Sequence, residues 1–322
     1  KWTIGGTDAE VQVWIHSDGS ITVIPGVSGV GQGTDTAVAM VVAEELQVPW
    51  DRVRVAPQEE WPTELNLSAG SSRGATHFAN AALLAARDAR RKLLELVSGT
   101  LNVPAGEVEL REGRIFYPGG PQDGMQLGEV MVIGGGVRGL GMVVGEGHFK
   151  GREATWYDPE TGHTDRICAE LKFWATGAVV TVDTETGVVQ VDKLVGCHDV
   201  GFAINPLLVE GQIDGGMIMG LGPALSEQAV FDNGVITNPN FMEYLVPTAD
   251  MVPTEVEAII LETGGGIGPK GAQGIGEPPL VAVAPAIGNA VFDAVGVRIY
   301  DLPITPEKVL EALQAQRSQG SG

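Results

Sequence analysis

The chain has 322 residues, 43% hydrophobic and 19% charged, with 46 Gly and 19 Pro, a length that accommodates two packed cores of roughly 100–200 residues each. Lys and Arg number 20 against 41 Asp and Glu, giving a formal net charge of −21, which repels phosphate backbones and anionic lipid and argues against a nucleic-acid or membrane-surface partner. No apolar run approaches the ~20 residues of a bilayer span, and the N-terminus lacks the apolar core of a signal peptide. A cytoplasmic location is therefore expected. Cys168 and Cys197 lie far apart without CxxC spacing, so neither a zinc site nor an iron–sulfur cluster is expected from them. No side-chain metal ligands are expected, and any redox relay belongs on another chain.

In chain order, residues 11–24 alternate apolar and polar side chains around Asp18-Gly19, the pattern of a β-hairpin with one buried face. Residues 34–46 and 75–97 have helical period. The second of these is Ala-rich, with Arg87, Arg90, Arg91 and Lys92 toward its C-terminal half, where cations suit the helix dipole. Further hairpins are read at 108–116 (turn Glu112-Gly113), 178–194 (turn Thr186-Gly187) and 229–236 (turn Asn233-Gly234). Further helices are read at 206–221, 278–295 and 305–314. Hairpins and helices that do not alternate as βαβ predict an α+β fold of antiparallel hairpins packed with helices in two lobes. Gly and Pro cluster between Pro118 and Lys150, placing the lobe boundary near residues 140–160: lobes at 1–150 and 151–316, then a disordered tail at 317–322.

Four glycine-rich segments are candidates for ligand loops. Gly134-Gly135-Gly136-Val137-Arg138-Gly139 formally matches GxGxxG, but the residues after it alternate like a strand, whereas a dinucleotide-binding turn opens a helix. We read it as an inter-strand loop, with a nicotinamide-binding enzyme as the rival. Ser28-Gly29-Val30-Gly31-Gln32-Gly33 opens directly into the helix at Thr34. It serves equally as a structural turn, with Thr34 as cap, or as a ligand cradle in which Gln32 both donates and accepts. In Gly70-Ser71-Ser72-Arg73-Gly74 two hydroxyls and a guanidinium precede a helix, and capping by Ser71 or Ser72 is the simpler local reading. Glu277 closes Gly274-Ile275-Gly276-Glu277-Pro278-Pro279, where a helix N-terminus stabilises the carboxylate whether or not it is catalytic.

Together and in order these segments resemble the molybdopterin-binding half of the xanthine oxidase family, the molybdenum hydroxylases. The resemblance rests on Gly31-Gln32-Gly33 with Ala43-Glu44-Glu45-Leu46, on His198-Asp199-Val200-Gly201 with Ile204-Asn205-Pro206 and Glu210-Gly211-Gln212, and on the Glu277 loop. It extends to Leu302-Pro303-Ile304-Thr305-Pro306-Glu307. It implies a pterin-held Mo without protein ligands, and Glu277 as general base toward a Mo-bound hydroxyl that attacks an N-heterocycle or aldehyde carbon, with hydride passing to a sulfido or selenido ligand. It also implies cofactor contacts from Gly31, Gln32, Gly33, Ser71, Ser72, Arg73, Gln212, Gly274 and Gly276. Asn205 has a competing role as helix cap, and His198-Asp199 reads as a buried hydrogen-bonding pair. Gly74-Ala75 stands where relatives often have Ser-Thr, and Gln273 where they often have Lys.

The first molybdenum lobe of the family, with its GGGFGGK-like loop, has no counterpart here, so the chain resembles the medium molybdopterin subunit of split enzymes such as nicotinate dehydrogenase. That resemblance implies a large molybdopterin subunit, an iron–sulfur subunit carrying [2Fe-2S] and a FAD subunit as partners. It also implies the cytosine dinucleotide form of molybdopterin and a small-molecule substrate gripped mainly by the partner. The alternative is a subunit that binds or assembles the cofactor without doing chemistry.

Overall fold

The computed structural model describes residues 2–3, 8–27, 29–57, 69–138, 141–151, 155 and 157–319. Ser28, Gly139 and residues 320–322, each part of a sequence expectation above, lie outside the described residues.

After β1 (Trp2–Thr3), β2 (Asp8–His16) and β3 (Ile21–Pro25) form the hairpin expected around Asp18-Gly19. Ala9, Val11, Val13 and Ile15 share one face of β2 by strand periodicity and are fully buried. α1 (Thr34–Glu45) leads to β4 (Val53–Val55), which joins β3 in parallel. α2 (Ala79–Leu101) opens with a π-helical turn at Gly74–Phe78. The expected hairpin at Glu112-Gly113 is β5 (Glu109–Arg111) and β6 (Arg114–Phe116), extended by β7 (Met125–Gln126). α3 (Leu127–Arg138) and β8 (Met142–Lys150) follow, and the main sheet of this lobe has the order β4-β3-β2-β8.

The Ala-rich face of α2 has a specific counterpart. Ala81, Ala85 and Ala89 are fully buried against β8, where a Cβ on Gly145 would stand 2.1 Å from the Ala85 carbonyl oxygen and one on Gly147 1.9 Å from that of Ala81. Small residues on both surfaces let helix and sheet backbones approach closely, which is why glycine interrupts an otherwise regular strand.

α3 corrects one expectation. Gly134-Gly135-Gly136 lies inside this helix and not in an inter-strand loop. Val130 and Met131 are buried in the first core, and a Cβ on Gly134 would lie 3.0 Å from the Leu96 side chain of α2. These glycines sit within a helix that a strand follows, whereas a dinucleotide-binding turn places them after a strand and before a helix.

In the second half, β9 (Glu170–Leu171) pairs with β1. β10 (Trp174–Val182) and β11 (Val189–Asp199) form the expected hairpin, with a register shift between Val179 and Val180. α4 (Pro206–Leu225) and the small hairpin of β12 (Phe231–Asp232) and β13 (Val235–Ile236) follow as expected. β14 (Glu255–Leu261) then adds to β11 in parallel, an edge that hairpin patterning did not indicate. The helix expected over 278–295 divides at Ala282 into α5 (Pro278–Val281) and α6 (Val283–Val295).

By length and composition this stretch is the one described segment apolar enough to cross a membrane. Its Val283, Ile287 and Val291, however, are buried in the second core beside Ile213, Met217 and Leu221 of α4. α7 (Pro306–Gln319) runs past the expected helix end, so residues 317–319 of the expected tail are helical. The buried apolar residues thus fall into two clusters, one spanning Ala9 to Val143 and the other Val191 to Leu313.

Candidate functional site

Between these two clusters lies a cleft of about 680 Å³, counted out to its open mouth, to which four segments contribute. The first is the turn into α1. Gly33 has φ +83, a left-handed conformation suited to glycine, and no side chain caps the helix. Thr34, expected as the cap, is instead the first helical residue and is buried. Gln32 Oε1 accepts a hydrogen bond from the Val30 N–H at 2.7 Å, while its Nε2 is buried without a partner among the described residues.

The second segment is the Ser71-Ser72 turn, both residues left-handed with φ 63 and 56. Such backbone persists in non-glycine residues only where the surroundings hold it. Neither serine caps the helix that follows, contrary to the simpler local reading. Ser72 instead reaches across 205 residues of chain: its Oγ accepts from the Glu277 N–H at 3.0 Å and donates to Glu277 Oε2 at 3.4 Å.

The third segment is the start of α4, where Asn205 Oδ1 accepts from the Leu208 N–H at 3.1 Å, the capping role expected. Gln212 follows one turn later and lines the cleft. The fourth is the extended run Ala272–Gly276. A Cβ on Gly274 would fall 1.6 Å from the Ser72 carbonyl oxygen, so these two backbones meet only because position 274 is glycine.

Of the residues expected to contact cofactor, Gln32, Gly33, Ser72, Gln212, Gly274 and Gly276 line this one cleft. Gly31, Ser71 and Arg73 do not. Gly31 is exposed with φ +98. Arg73 is buried beneath the turn with its guanidinium 5.6 Å from the Phe78 ring centroid, and burial lowers its pKa. Glu277 is half-buried at the N-terminus of α5, directly after Gly276 at the edge of the cleft.

His198 and Asp199 do not form the hydrogen-bonding pair read from sequence. As successive residues of β11 they point to opposite sides. Asp199 accepts from the Gly201 N–H at 2.9 Å and from Thr263 Oγ1 at 2.7 Å. His198 is buried, its Nε2 has no partner among the described residues, and burial lowers its pKa to about 4. Glycine at position 74 has a local reason, since a Cβ there would lie 2.6 Å from Thr34 Oγ1.

The donor set fits a pterin. Among the described residues Gln32 Nε2, a donor, and Gln273 Oε1, an acceptor, are buried without a partner, both on residues lining the cleft. Each unsatisfied polar group costs roughly 1–3 kcal/mol until a partner arrives, and a pterin edge offers both donors and acceptors. Gly33, Gly74, Gly274 and Gly276 leave the wall without side chains at four positions. Among the described residues no group of three or more His, Cys, Asp or Glu could hold a metal ion. The sequence did not single out Phe202, which walls the cleft, nor the buried Lys172, which donates to the Ser72 carbonyl at 3.0 Å. An inward-facing Lys has no local signature, because its face is known only once the strand is placed.

The family model described as the molybdopterin cofactor-binding domain matches residues 2–253. The chain is 32% identical over 320 residues to the putative xanthine dehydrogenase molybdenum-binding subunit XdhA of Escherichia coli (strain K12), covering 96% of this chain and 40% of that protein. It is 30% identical over 321 residues to the nicotine 6-hydroxylase large subunit of Paenarthrobacter nicotinovorans, covering 96% and 37%. Quinoline 2-oxidoreductase from Pseudomonas putida 86 superposes with a TM-score of 0.78 at 27% identity, over 96% of this chain and 38% of that one. The chain therefore spans about two fifths of the length of these relatives. On these matches the chain belongs to the molybdopterin-binding domain family of the xanthine oxidase-type molybdenum hydroxylases.

Proposed function

We propose that this chain forms one wall of the molybdopterin site in a heteromeric molybdenum hydroxylase, with Glu277 as the general base in hydroxylation of an N-heterocycle or aldehyde carbon by water. The observation that carries this reading is the double attachment of Glu277 to Ser72, through backbone N–H and carboxylate, beside a cleft with an unpaired donor and acceptor. When bound, the cofactor supplies a two-electron acceptor and a centre that activates water. Gln32, Gln212 and Gln273 would hold it by hydrogen bonds, and Gly274 and Gly276 would leave room for it against the backbone. Glu277 accepts the proton released as the oxygen–carbon bond forms. A general base must be both unprotonated and held within hydrogen-bond reach, and the Ser72 hydroxyl restricts the carboxylate to one orientation.

The substrate class is supported by the names of relatives, since xanthine, nicotine and quinoline are all N-heterocycles. The substrate-gripping residues belong to a large molybdopterin polypeptide, the relay belongs to iron–sulfur and FAD subunits, and the cofactor is the cytosine dinucleotide form. Glu277→Gln in the assembled complex preserves size and hydrogen bonding to Ser72. It is expected to lower turnover by about 10²–10⁴-fold, the usual scale for a lost general base, with cofactor content unchanged. Full turnover in that variant would instead make this a cofactor-binding or assembly subunit.

A further inference from the structure

The segment around β9 is patterned inside out. Glu170 and Lys172 are 7% and 5% exposed, whereas Leu171 and Phe173 between and after them are 57% and 65% exposed. Strand alternation normally buries the apolar set, and a buried ammonium is unfavourable unless its hydrogen bonds are met. Lys172 reaches a turn that builds the site, and Glu170 holds the segment that precedes the Ala272–Gly276 run. Glu170 Oε1 accepts from the Ile267 N–H at 3.0 Å, and Lys172 Nζ donates to the Ser72 carbonyl at 3.0 Å. That carbonyl belongs to the left-handed turn whose hydroxyl holds Glu277, and it is the atom against which Gly274 is packed. The Gly274 Cβ position lies 3.3 Å from Lys172 Nζ, so ammonium, turn and glycine run converge at one point.

We propose that Lys172 is a positioning residue for Glu277: its ammonium fixes the Ser72 carbonyl, which sets the turn so that the Ser72 hydroxyl holds the Glu277 backbone and carboxylate. Lys172 acts through Ser72 and touches no reacting atom. A neutral side chain cannot replace it, because the turn is intrinsically unfavourable for serine and a charge-assisted bond is about twice as strong as a neutral one. The inference rests on Glu277 being the base, and its test separates the two.

The test uses the cofactor-loaded complex with Lys172→Met, Lys172→Arg, Ser72→Ala, the Lys172→Met/Ser72→Ala double variant and Glu277→Gln. It follows kcat, KM, cofactor content and amide hydrogen exchange. Pro278 and Pro279 carry no N–H, so the difference between a longer peptide ending at Pro279 and one with the same start ending at Gly276 reports the Glu277 amide. Lys172→Met is expected to lower kcat at least tenfold with KM within twofold and cofactor retained, and to speed exchange of the Glu277 amide at least tenfold. Lys172→Arg should recover most of both. Ser72→Ala should show the same losses while keeping the buried charge, and the double variant should fall no further than the lower single variant, because the two residues act in series.

Wild-type exchange at Glu277 in Lys172→Met, or kcat losses in the two single variants that add in full, would overturn the proposal. If Lys172→Met does not assemble, an unchanged Glu277 amide in Ser72→Ala overturns it alone. An active Glu277→Gln removes the base reading, while the exchange data still decide whether Lys172 holds Glu277.

Discussion

Gly274 and Gly276 stand two residues apart in the same loop, and the structure assigns them different jobs. A Cβ on Gly274 would lie 1.6 Å from the Ser72 carbonyl oxygen, and that oxygen is held by Lys172. The turn cannot yield without breaking the Lys172 contact, so Gly274→Ala must push the two backbones apart by more than 1 Å. Overpacking of this kind costs typically 1–3 kcal/mol, and a backbone atom as the obstacle places it at the upper end, about 3 kcal/mol. At roughly 2–4 °C per kcal/mol for cooperative units of some 150–250 residues, Tm should fall by about 6–12 °C.

At Gly276 the nearest atom to a Cβ is Ser72 Oγ at 3.7 Å, an ordinary contact. Gly276→Ala should therefore leave Tm of the cofactor-free chain within about 1–2 °C while lowering cofactor occupancy, because the added methyl enters the cleft that Gly276 lines. Differential scanning calorimetry of the cofactor-free protein and Mo analysis of the loaded complex read the two effects separately. Equal destabilisation by both substitutions, or an unaltered Tm in Gly274→Ala, would refute the assignment.

Removing the unpaired amide by Gln32→Leu should leave apo stability within about 1 kcal/mol, since one unsatisfied donor disappears with one hydrogen bond, and should weaken cofactor binding about tenfold in equilibrium titration. Asn205→Ala deletes the α4 cap and should cost about 1 kcal/mol by denaturant unfolding. His77 and His198 are each lowered to about 4, both chiefly by burial, with Arg73 and Lys172 adding to the effect at His77. Below pH 6.5 the unfolded chain takes up protons that these folded imidazoles refuse, so their contribution to stability is complete above about 6.5 and is lost as pH falls toward 4. Each contributes a slope of up to about 1.4 kcal/mol per pH unit in that window. His77→Gln should reduce proton uptake on unfolding near pH 5 by about one, measured from the pH dependence of unfolding free energy.

The four hairpins, the principal helices and the Asn205 cap were legible in the chain itself, because each depends on residues only a few positions apart. Period-2 burial meets a turn dipeptide at Asp18-Gly19, the turn dipeptide itself marks the exposed hairpin at Asn233-Gly234, and a side-chain oxygen meets an N–H three residues on at Asn205. The glycines at 134–136 were misjudged for a related reason. Glycine permits both loop and helix, and the decision came from packing Val130, Met131 and Gly134 against α2. The parallel edges made by β4 and β14 pair segments with no turn between them to announce the pairing.

The resemblance carried by the sequence placed Gln32, Gln212, Gly274 and Glu277 among the candidate site residues. Only the tertiary structure tied Ser72 to Glu277, buried Lys172 behind them and turned Arg73 away from the cleft toward Phe78. Those choices join residues up to 205 positions apart, and no local backbone preference reaches that far. A hydroxyl or an ammonium takes whichever partner the packed lobes bring within 3 Å.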